Sequence, residues 1–434
     1  MILFGGLKFS FIYKNMFKIP QIWQAHLEQF EYQSHDYFMA LAYCFASTTL
    51  GLTQPNPCVG AVIIRNNRIL AYGSTQEPGS HHAEIMAIKK LKENKLSHLE
   101  NLTLYVTLEP CFHHSRTPPC IDTILEENIS LVVIHNIDIH EKVNGRSIEK
   151  LKKNNIDVII LENKKFDLAQ FFTLGGFQYV QKKCKPRMIY KWAQTKEGYL
   201  SKTHDSSGKI SNDLSHETVM HFREIFTNTC VTPGAIVHDL PSLNLRKSQK
   251  VLIEENISSF TAVLLNRDQL PEQFFQNTFI SRRFFLMPEL YCQKNKQTSW
   301  TLNKLKGFIN KQIAIDMNFY LLFINKEQAN PVLEKIENKT IINNIFQVNY
   351  NNPKELNDFF IKQHCNDVFF ETGPKWAQKI YNMGKMKYFI VYLTQTSFLS
   401  GRDFELSKKL SQDTSLFNQE NTLELKKDIF YLKK

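Results

Sequence analysis

Apolar side chains recur at helical spacing over residues 35–48 (HDYFMALAYCFAST), after which the pattern changes period. Two short strands are predicted at 58–64 and 68–72, folded back on each other at Asn66-Asn67, because asparagine tolerates the backbone of a tight hairpin turn. Helical spacing returns at 83–93. A strand at 102–108 runs straight into Glu109-Pro110-Cys111. A helix over 121–127, a strand at 131–135, a helix over 147–153 and a strand at 158–161 complete the alternation. That order predicts a three-layer α/β unit ending near residue 165.

A connecting stretch follows, with Gly175-Gly176 and Lys182-Lys183-Cys184-Lys185-Pro186 as its breaks. Beyond it, strand-like MIYKWAQT (188–195), a helix over 213–227, the apolar run CVTPGAIV (230–237) and strands DVFFE (367–371) and KYFIVYLT (387–394) predict a second α/β domain. Residues 255–350 carry no clear period, and the chain has no internal repeat or long low-complexity tract. The expected organisation is an extension (1–34), a first domain (35–165), a linker (166–186) and a second domain (187–434).

Composition adds little to this but removes some classes. A chain of 434 residues exceeds one average domain and leaves room for two cores. The formal charge of +11 favours anionic partners such as phosphorylated metabolites, a dinucleotide or nucleic acid. No dense Lys/Arg block dominates, so a generally basic enzyme is the better reading than a nucleic-acid binder. The eight cysteines are spread along the chain rather than set in a small disulfide scaffold, which fits a reducing cytoplasm. The apolar runs of the first twenty residues are too short to span a bilayer and carry no small-residue cleavage site, so no membrane association is expected.

Chemistry concentrates in two segments, Ser80-His81-His82-Ala83-Glu84 and Glu109-Pro110-Cys111 with Pro118-Pro119-Cys120. A histidine with glutamate two residues on, then a Pro-Cys pair and a second cysteine, is the pattern of zinc-dependent base deaminases. His82, Cys111 and Cys120 supply three zinc ligands and leave a fourth position for water, whose pKa the metal lowers toward neutrality. Glu84 is the candidate proton shuttle. A closed structural site would need a fourth ligand from His81, His113 or His114; the glutamate two residues after His82 argues against it.

At these residues the chain resembles the bifunctional riboflavin-biosynthesis enzymes, a pyrimidine deaminase fused to a pyrimidine reductase. The resemblance is strongest over Thr53-Gln54-Pro55-Asn56-Pro57-Cys58-Val59-Gly60, over His82-Ala83-Glu84, and from Thr107 to Cys120. Cytidine and nucleic-acid deaminases usually separate their two cysteines by two residues. The eight here, with Arg116-Thr117-Pro118-Pro119 before Cys120, belong to the riboflavin type. The resemblance implies a cytidine-deaminase-like α/β domain followed by a dihydrofolate-reductase-like α/β domain. It implies zinc on His82, Cys111 and Cys120, with Glu84 catalytic. It also implies substrate contacts from Asn56 to the pyrimidine, from Arg116 to the ribose phosphate, and from Asp138.

For the second domain the resemblance rests on Lys191-Trp192-Ala193, Gly198, Ser207, Arg223, the stretch from Asp239 to Arg246, and Phe370-Glu371-Thr372-Gly373-Pro374. It implies NADPH contacts at Ala193, Asp239 and Gly373. It implies substrate contacts at Ser207, Arg223, Leu243, Arg246 and Glu371, with Arg223 and Arg246 suited to a phosphate. The chain departs from the family pattern at several points. Thr75 stands where a histidine is common, and Asp138-Ile139-His140-Glu141 replaces Asp-Pro-Asn-Pro. Lys209 replaces a tryptophan, and Val231-Thr232-Pro233-Gly234-Ala235 loses a glycine and a hydroxyl.

The activity implied is zinc-dependent deamination of 2,5-diamino-6-(5-phosphoribosylamino)pyrimidin-4(3H)-one, then NADPH-dependent reduction of 5-amino-6-(5-phosphoribosylamino)uracil to its ribitylamino product. A second reading keeps the deaminase alone, with a degenerate reductase domain. A third is a nucleic-acid base deaminase, which only the net charge supports, so no nucleic-acid partner is expected. Families of this kind tend to self-associate, and a homo-oligomer is an expectation from the resemblance alone.

Overall fold

The computed structural model describes residues 29–434 apart from 113–117, 140–142, 203–218, 220–221, 224–225, 227, 232–282, 287–318, 324–344, 351, 372, 395–399, 413–421, 426–427 and 434. The described residues divide into two units between Cys184 and Lys185.

The first unit opens with α1 (His35–Ser47), whose start is capped by Ser34: its hydroxyl accepts the Tyr37 N–H at 3.0 Å. Residues 37–46 of this helix are all buried, as an uninterrupted apolar run requires. Strands β1 (Gly60–Arg65) and β2 (Arg68–Ser74) form the expected hairpin, with Asn66 and Asn67 both in the left-handed region at φ 49° and 60°. Then come α2 (Ala83–Glu93), β3 (Leu102–Leu108), α3 (Cys120–Glu126), β4 (Ile129–Asn136), α4 (Arg146–Lys153) and β5 (Asp157–Ile160). The sheet order is β2-β1-β3-β4-β5, antiparallel at β2, β1 and β3 and parallel from β3 to β5.

Side chains alternate across this sheet. Ala61, Ile63, Leu104, Val106, Val132 and Ile134 pack with Ala83, Ala87, Ile121, Ile124 and Leu151 of α2, α3 and α4. On the opposite face, Tyr105 and His135 meet Phe38 and Tyr43 of α1. The result is the three-layer sandwich expected from the element order. Two glycines bring helices down to backbone contact. A Cβ at Gly60 would lie 1.9 Å from the Ala42 carbonyl of α1, and one at Gly73 would lie 2.3 Å from the Ala83 carbonyl of α2.

The stretch expected to be a linker continues this unit instead. A 3-10 turn (Lys164–Phe166) leads into α5 (Asp167–Thr173) and α6 (Gly175–Lys183). Phe166, Phe171, Phe172 and Leu174 are buried, and the Thr173 carbonyl accepts the Cys58 N–H at 3.3 Å. The aromatic side chains drive this packing, and Gly175-Gly176 marks the start of a second helix rather than open chain. Of the extension, Phe30 stacks on Phe166 at 4.8 Å.

The second unit begins with β6 (Arg187–Thr195), β7 (Ser201–Lys202) and β8 (Asn228–Val231). It continues with β9 (Arg283–Leu286), β10 (Phe319–Phe323), β11 (Ile345–Gln347), α7 (Pro353–Lys362), β12 (Asp367–Glu371) and α8 (Pro374–Asn382). Strands β13 (Tyr388–Thr394) and β14 (Gly401–Arg402), helix α9 (Glu405–Gln412), and strands β15 (Thr422–Leu425) and β16 (Asp428–Lys433) complete it. Its main sheet runs β11-β10-β9-β8-β12-β6-β13-β16-β15, parallel from β11 to β13 and antiparallel beyond. Arg187 and Asp367 pair across β6 and β12 at 2.6 Å, both buried. The turn after β6 uses Gly198 at φ 86°, where the Ser407 hydroxyl of α9 donates to its carbonyl. Of the apolar run at 230–237, Cys230 and Val231 end β8 and the rest lies outside the described residues, as does most of the helix expected over 213–227. No helix among the described residues is long and apolar enough to cross a membrane.

Candidate active site

His82 is the N-cap residue of α2, with extended backbone (φ −75°, ψ 167°) and no capping bond from its ring. The imidazole Nδ1 lies 3.2 Å from Cys120 Sγ and 3.5 Å from Cys111 Sγ. Cys111 follows the end of β3. Cys120 is the first residue of α3, and its N–H donates to Cys111 Sγ at 3.1 Å. All three ligand atoms lie within 4.8 Å of one another. A tetrahedral zinc with bonds of about 2.0–2.3 Å to nitrogen and sulfur spaces such atoms about 3.5–3.8 Å apart, so two sulfurs and one imidazole nitrogen at these separations fit zinc.

Local electrostatics act differently on the three side chains, and the bond to Cys111 with burial pushes the Cys120 thiol up. The hydrogen bond with the Cys120 thiol, helped by the His82 ring and the Cys120 N–H, holds the Cys111 thiol down at about 4 against the effect of burial. The bond to Cys111 in turn raises His82 to about 9. Glu84, in the first turn of the same helix, is 3% exposed, and burial pushes its carboxyl up to about 7 while the His82 charge pulls the other way. A carboxyl in that range exchanges protons readily at neutral pH.

Around this centre the expected residues have different fates. Asn56 sits half-buried in a turn closed by its own N–H to the Thr53 carbonyl at 2.8 Å and by the Thr53 hydroxyl to the Asn56 carbonyl. Asp138 is buried in the segment after β4. Arg116 and His140 lie outside the described residues. Thr75 ties β2 to the start of β1. Its hydroxyl accepts the Val59 N–H at 3.1 Å, and its own N–H returns to the Val59 carbonyl at 2.9 Å.

Two features escape a reading of the sequence. Glu109 is buried, and its carboxylate accepts the N–H groups of Asp138, Gly145 and Ser147 at 3.0–3.2 Å. The sequence marks Glu109 as part of Glu109-Pro110-Cys111 but gives no sign of these three partners. On the α1 side, Asn136 Nδ2 donates to the Tyr43 hydroxyl at 2.8 Å, and that hydroxyl lies 2.6 Å from His135 Nδ1. With the Asn136 amide satisfying the tyrosine oxygen, the hydroxyl proton is directed to the ring nitrogen. Burial lowers His135 to about 4.

In the second unit, Ala193 lies on β6, and Gly373 is the N-cap of α8 directly after β12. Space is open where a Cβ at Gly373 would stand, so a ligand's anionic group can approach the amide end of α8. Arg223 and Glu371 form a two-point ion pair with each other. The guanidinium expected to hold a phosphate is thus engaged by a carboxylate expected to hold the same substrate. Ser207, Lys209, Asp239, Leu243 and Arg246 lie outside the described residues.

Residues 32–136 match the family model for the cytidine and deoxycytidylate deaminase zinc-binding region. The chain is 44% identical over 106 residues to the diaminohydroxyphosphoribosylamino-pyrimidine deaminase of Buchnera aphidicola subsp. Acyrthosiphon pisum, covering 24% of this chain and 69% of that one. It is 32% identical over 243 residues to the riboflavin biosynthesis protein RibD of Aquifex aeolicus, covering 54% of this chain and 66% of that one. The match to the RibD of Actinobacillus pleuropneumoniae covers 54% of that protein, so the chain spans between about half and two thirds of these longer relatives. The structure is similar to a diaminohydroxyphosphoribosylaminopyrimidine deaminase/5-amino-6-(5-phosphoribosylamino)uracil reductase from Thermotoga maritima, with TM-score 0.66, 21% identity, and coverage of 92% of this chain and 98% of that one. The fold is accordingly a cytidine-deaminase-like α/β domain followed by a dihydrofolate-reductase-like α/β domain.

Proposed function

Because this chain belongs to the diaminohydroxyphosphoribosylamino-pyrimidine deaminase family, we propose that it serves riboflavin biosynthesis in two steps. It deaminates 2,5-diamino-6-(5-phosphoribosylamino)pyrimidin-4(3H)-one and then reduces 5-amino-6-(5-phosphoribosylamino)uracil with NADPH. The observation that carries the first step is the convergence of His82 Nδ1, Cys111 Sγ and Cys120 Sγ within 4.8 Å, with Glu84 buried in the same helix start.

His82, Cys111 and Cys120 would hold zinc, which when bound makes a water acidic enough to act as a nucleophile near neutral pH. Glu84 takes the water proton at its carboxylate as the oxygen adds to the ring carbon bearing the exocyclic amine. The same carboxyl then returns a proton to the departing nitrogen. The C–N bond breaks, ammonia leaves and a ring carbonyl remains. Asn56 orients the pyrimidine through its amide, and Asp138 lines the pocket. Arg116 meets the ribose phosphate.

For the second step, NADPH supplies hydride to the open-chain sugar carbon, and the protein supplies orientation and charge. Gly373 and the amide end of α8 would meet the cofactor phosphates, with Ala193 and Asp239 beside it. Ser207, Leu243, Arg246 and Glu371 would hold the substrate. The mutual engagement of Arg223 and Glu371 favours a second reading, in which only the deaminase is active. Eight cysteines spread along a long chain, rather than set in a small disulfide scaffold, support a cytoplasmic setting.

The deciding experiment is Glu84→Gln with zinc content measured. Retained zinc with ammonia release reduced at least about 100-fold supports the deaminase; unchanged turnover sinks it. Complementation of deaminase-deficient and reductase-deficient riboflavin auxotrophs, scored separately, decides between two activities and one.

A further inference from the structure

Helix α4 begins without a cap of its own. Its N-cap position is Gly145, at φ 84°, which offers no side chain to the first amides. The missing acceptor comes from a different element. Glu109, directly after β3, places Oε2 3.0 Å from the Gly145 nitrogen and Oε1 3.2 Å from the Ser147 nitrogen. A carboxylate there also meets the positive end of the helix dipole.

The same carboxylate reaches a third amide. Oε2 accepts the Asp138 N–H at 3.2 Å, so the two ends of the 138–147 segment converge on one side chain. The connection is reciprocal: the Ser147 hydroxyl donates to the Pro110 carbonyl at 2.6 Å, and the Glu109 N–H donates to the Asn136 carbonyl at 2.8 Å. Cys111 is the next residue after Pro110. One buried carboxylate thus stands between a metal ligand and the segment that begins at Asp138.

We propose that Glu109 is a positioning residue that ties the Cys111 ligand strand to Asp138 and to the start of α4, so that metal affinity and substrate binding depend together on its carboxylate. The proposal rests on the deaminase reading for its substrate arm, while its metal arm stands on the geometry alone. A glutamine in this position keeps the shape and one acceptor oxygen but turns an amide donor toward backbone N–H groups. Partners that orient metal ligands typically contribute about 10- to 100-fold to metal affinity or activity.

The test compares the full-length zinc-loaded chain with Glu109→Gln and with Ser147→Ala, which removes the Pro110 contact and leaves the carboxylate. Three quantities are read: zinc dissociation by competition with a chromogenic chelator, KM for ammonia release, and the thermal midpoint. Glu109→Gln is expected to weaken zinc binding and raise KM by about tenfold each. Ser147→Ala is expected to move both by a smaller factor, about threefold, in the same direction. A lowered midpoint with unchanged zinc affinity and KM would overturn the proposal and leave Glu109 as a structural cap only. If Glu109→Gln does not fold, Ser147→Ala decides: shifted zinc affinity supports the coupling, and wild-type values refute it. A wild-type chain that binds zinc but releases no ammonia would count against the deaminase reading, with the zinc arm still testing Glu109.

Discussion

Arg223 and Glu371 grip each other at two points, with Nη2 donating to Oε2 at 2.8 Å and Nε donating to Oε1. Both side chains are mostly buried, at 7% and 15% exposure. Removing one partner of a buried two-point pair breaks both contacts at once, a cost of about 3 kcal/mol. Arg223→Gln and Glu371→Gln are each expected to lower stability by that amount, and the double variant to lose far less than the sum. Urea unfolding of the four proteins gives the coupling directly. Strict additivity would mean that the pair contributes nothing.

His135 sets an acid limit on the first unit. Burial lowers its folded-state pKa to about 4 from an ordinary 6.5, so the unfolded chain takes up a proton more readily than the folded one. Its contribution is complete above pH 6.5 and is lost as pH falls through 4, at most about 3 kcal/mol. Protonation at Nδ1 would also abolish the acceptor that faces the Tyr43 hydroxyl. In unfolding curves taken between pH 7 and 4, His135→Gln is expected to flatten this fall; an identical slope in both proteins removes His135 as its cause.

Thr75 closes a reciprocal pair of hydrogen bonds with Val59 at the start of β1. Thr75→Val keeps the shape and leaves the buried Val59 N–H short of its acceptor, at a cost of about 1–3 kcal/mol. Thr75→Ser restores the acceptor and is expected to recover most of that loss. Thermal midpoints of the two variants, together with KM, report whether the nearby Asn56 turn shifts when the hydroxyl is lost.

Zinc is expected to stabilise the first unit by mass action, since the three ligands converge only in the folded chain. Adding zinc to chelator-treated protein at 100 times its dissociation constant corresponds to about 2.7 kcal/mol. His82→Ala should remove that gain, and Glu84→Gln should retain it. Calorimetry with and without zinc reads both. A gain that survives in His82→Ala would assign the binding elsewhere.

Local signals were legible in the sequence and long-range ones were not. Asn66 and Asn67 announced a hairpin because a positive φ at both positions is a property of the residues themselves. From α1 to β5 the observed strands and helices begin and end within two residues of their expected limits. Strand β4 is extended to Ile129 and Asn136 by its ladder with β3, whereas α5 and α6 occupy the expected linker. The candidate ligands His82, Cys111 and Cys120, which the structure brings together, were readable because zinc chemistry calls for those residue types. The contacts of Glu109 were not, since its three partners lie 29 to 38 positions away. Nor was the bond between Arg223 and Glu371, 148 positions apart. Strands β9 and β10 were missed for another reason. They lie inside a parallel sheet, where short apolar runs carry no alternation to mark them.

The seat of α2 on Gly73 has a consequence for how this protein tolerates change. At the start of α2, which carries His82 and Glu84, the Gly73 backbone rests against the Ala83 carbonyl and the Ala87 nitrogen, with no room for a Cβ between them. Substitutions among Ala61, Leu104 or Val132 that conserve volume can be absorbed by repacking beneath this helix. A single methyl at residue 73 has no such freedom. A tolerance set by one hydrogen atom thus lies outside the motif that names the chemistry of this unit.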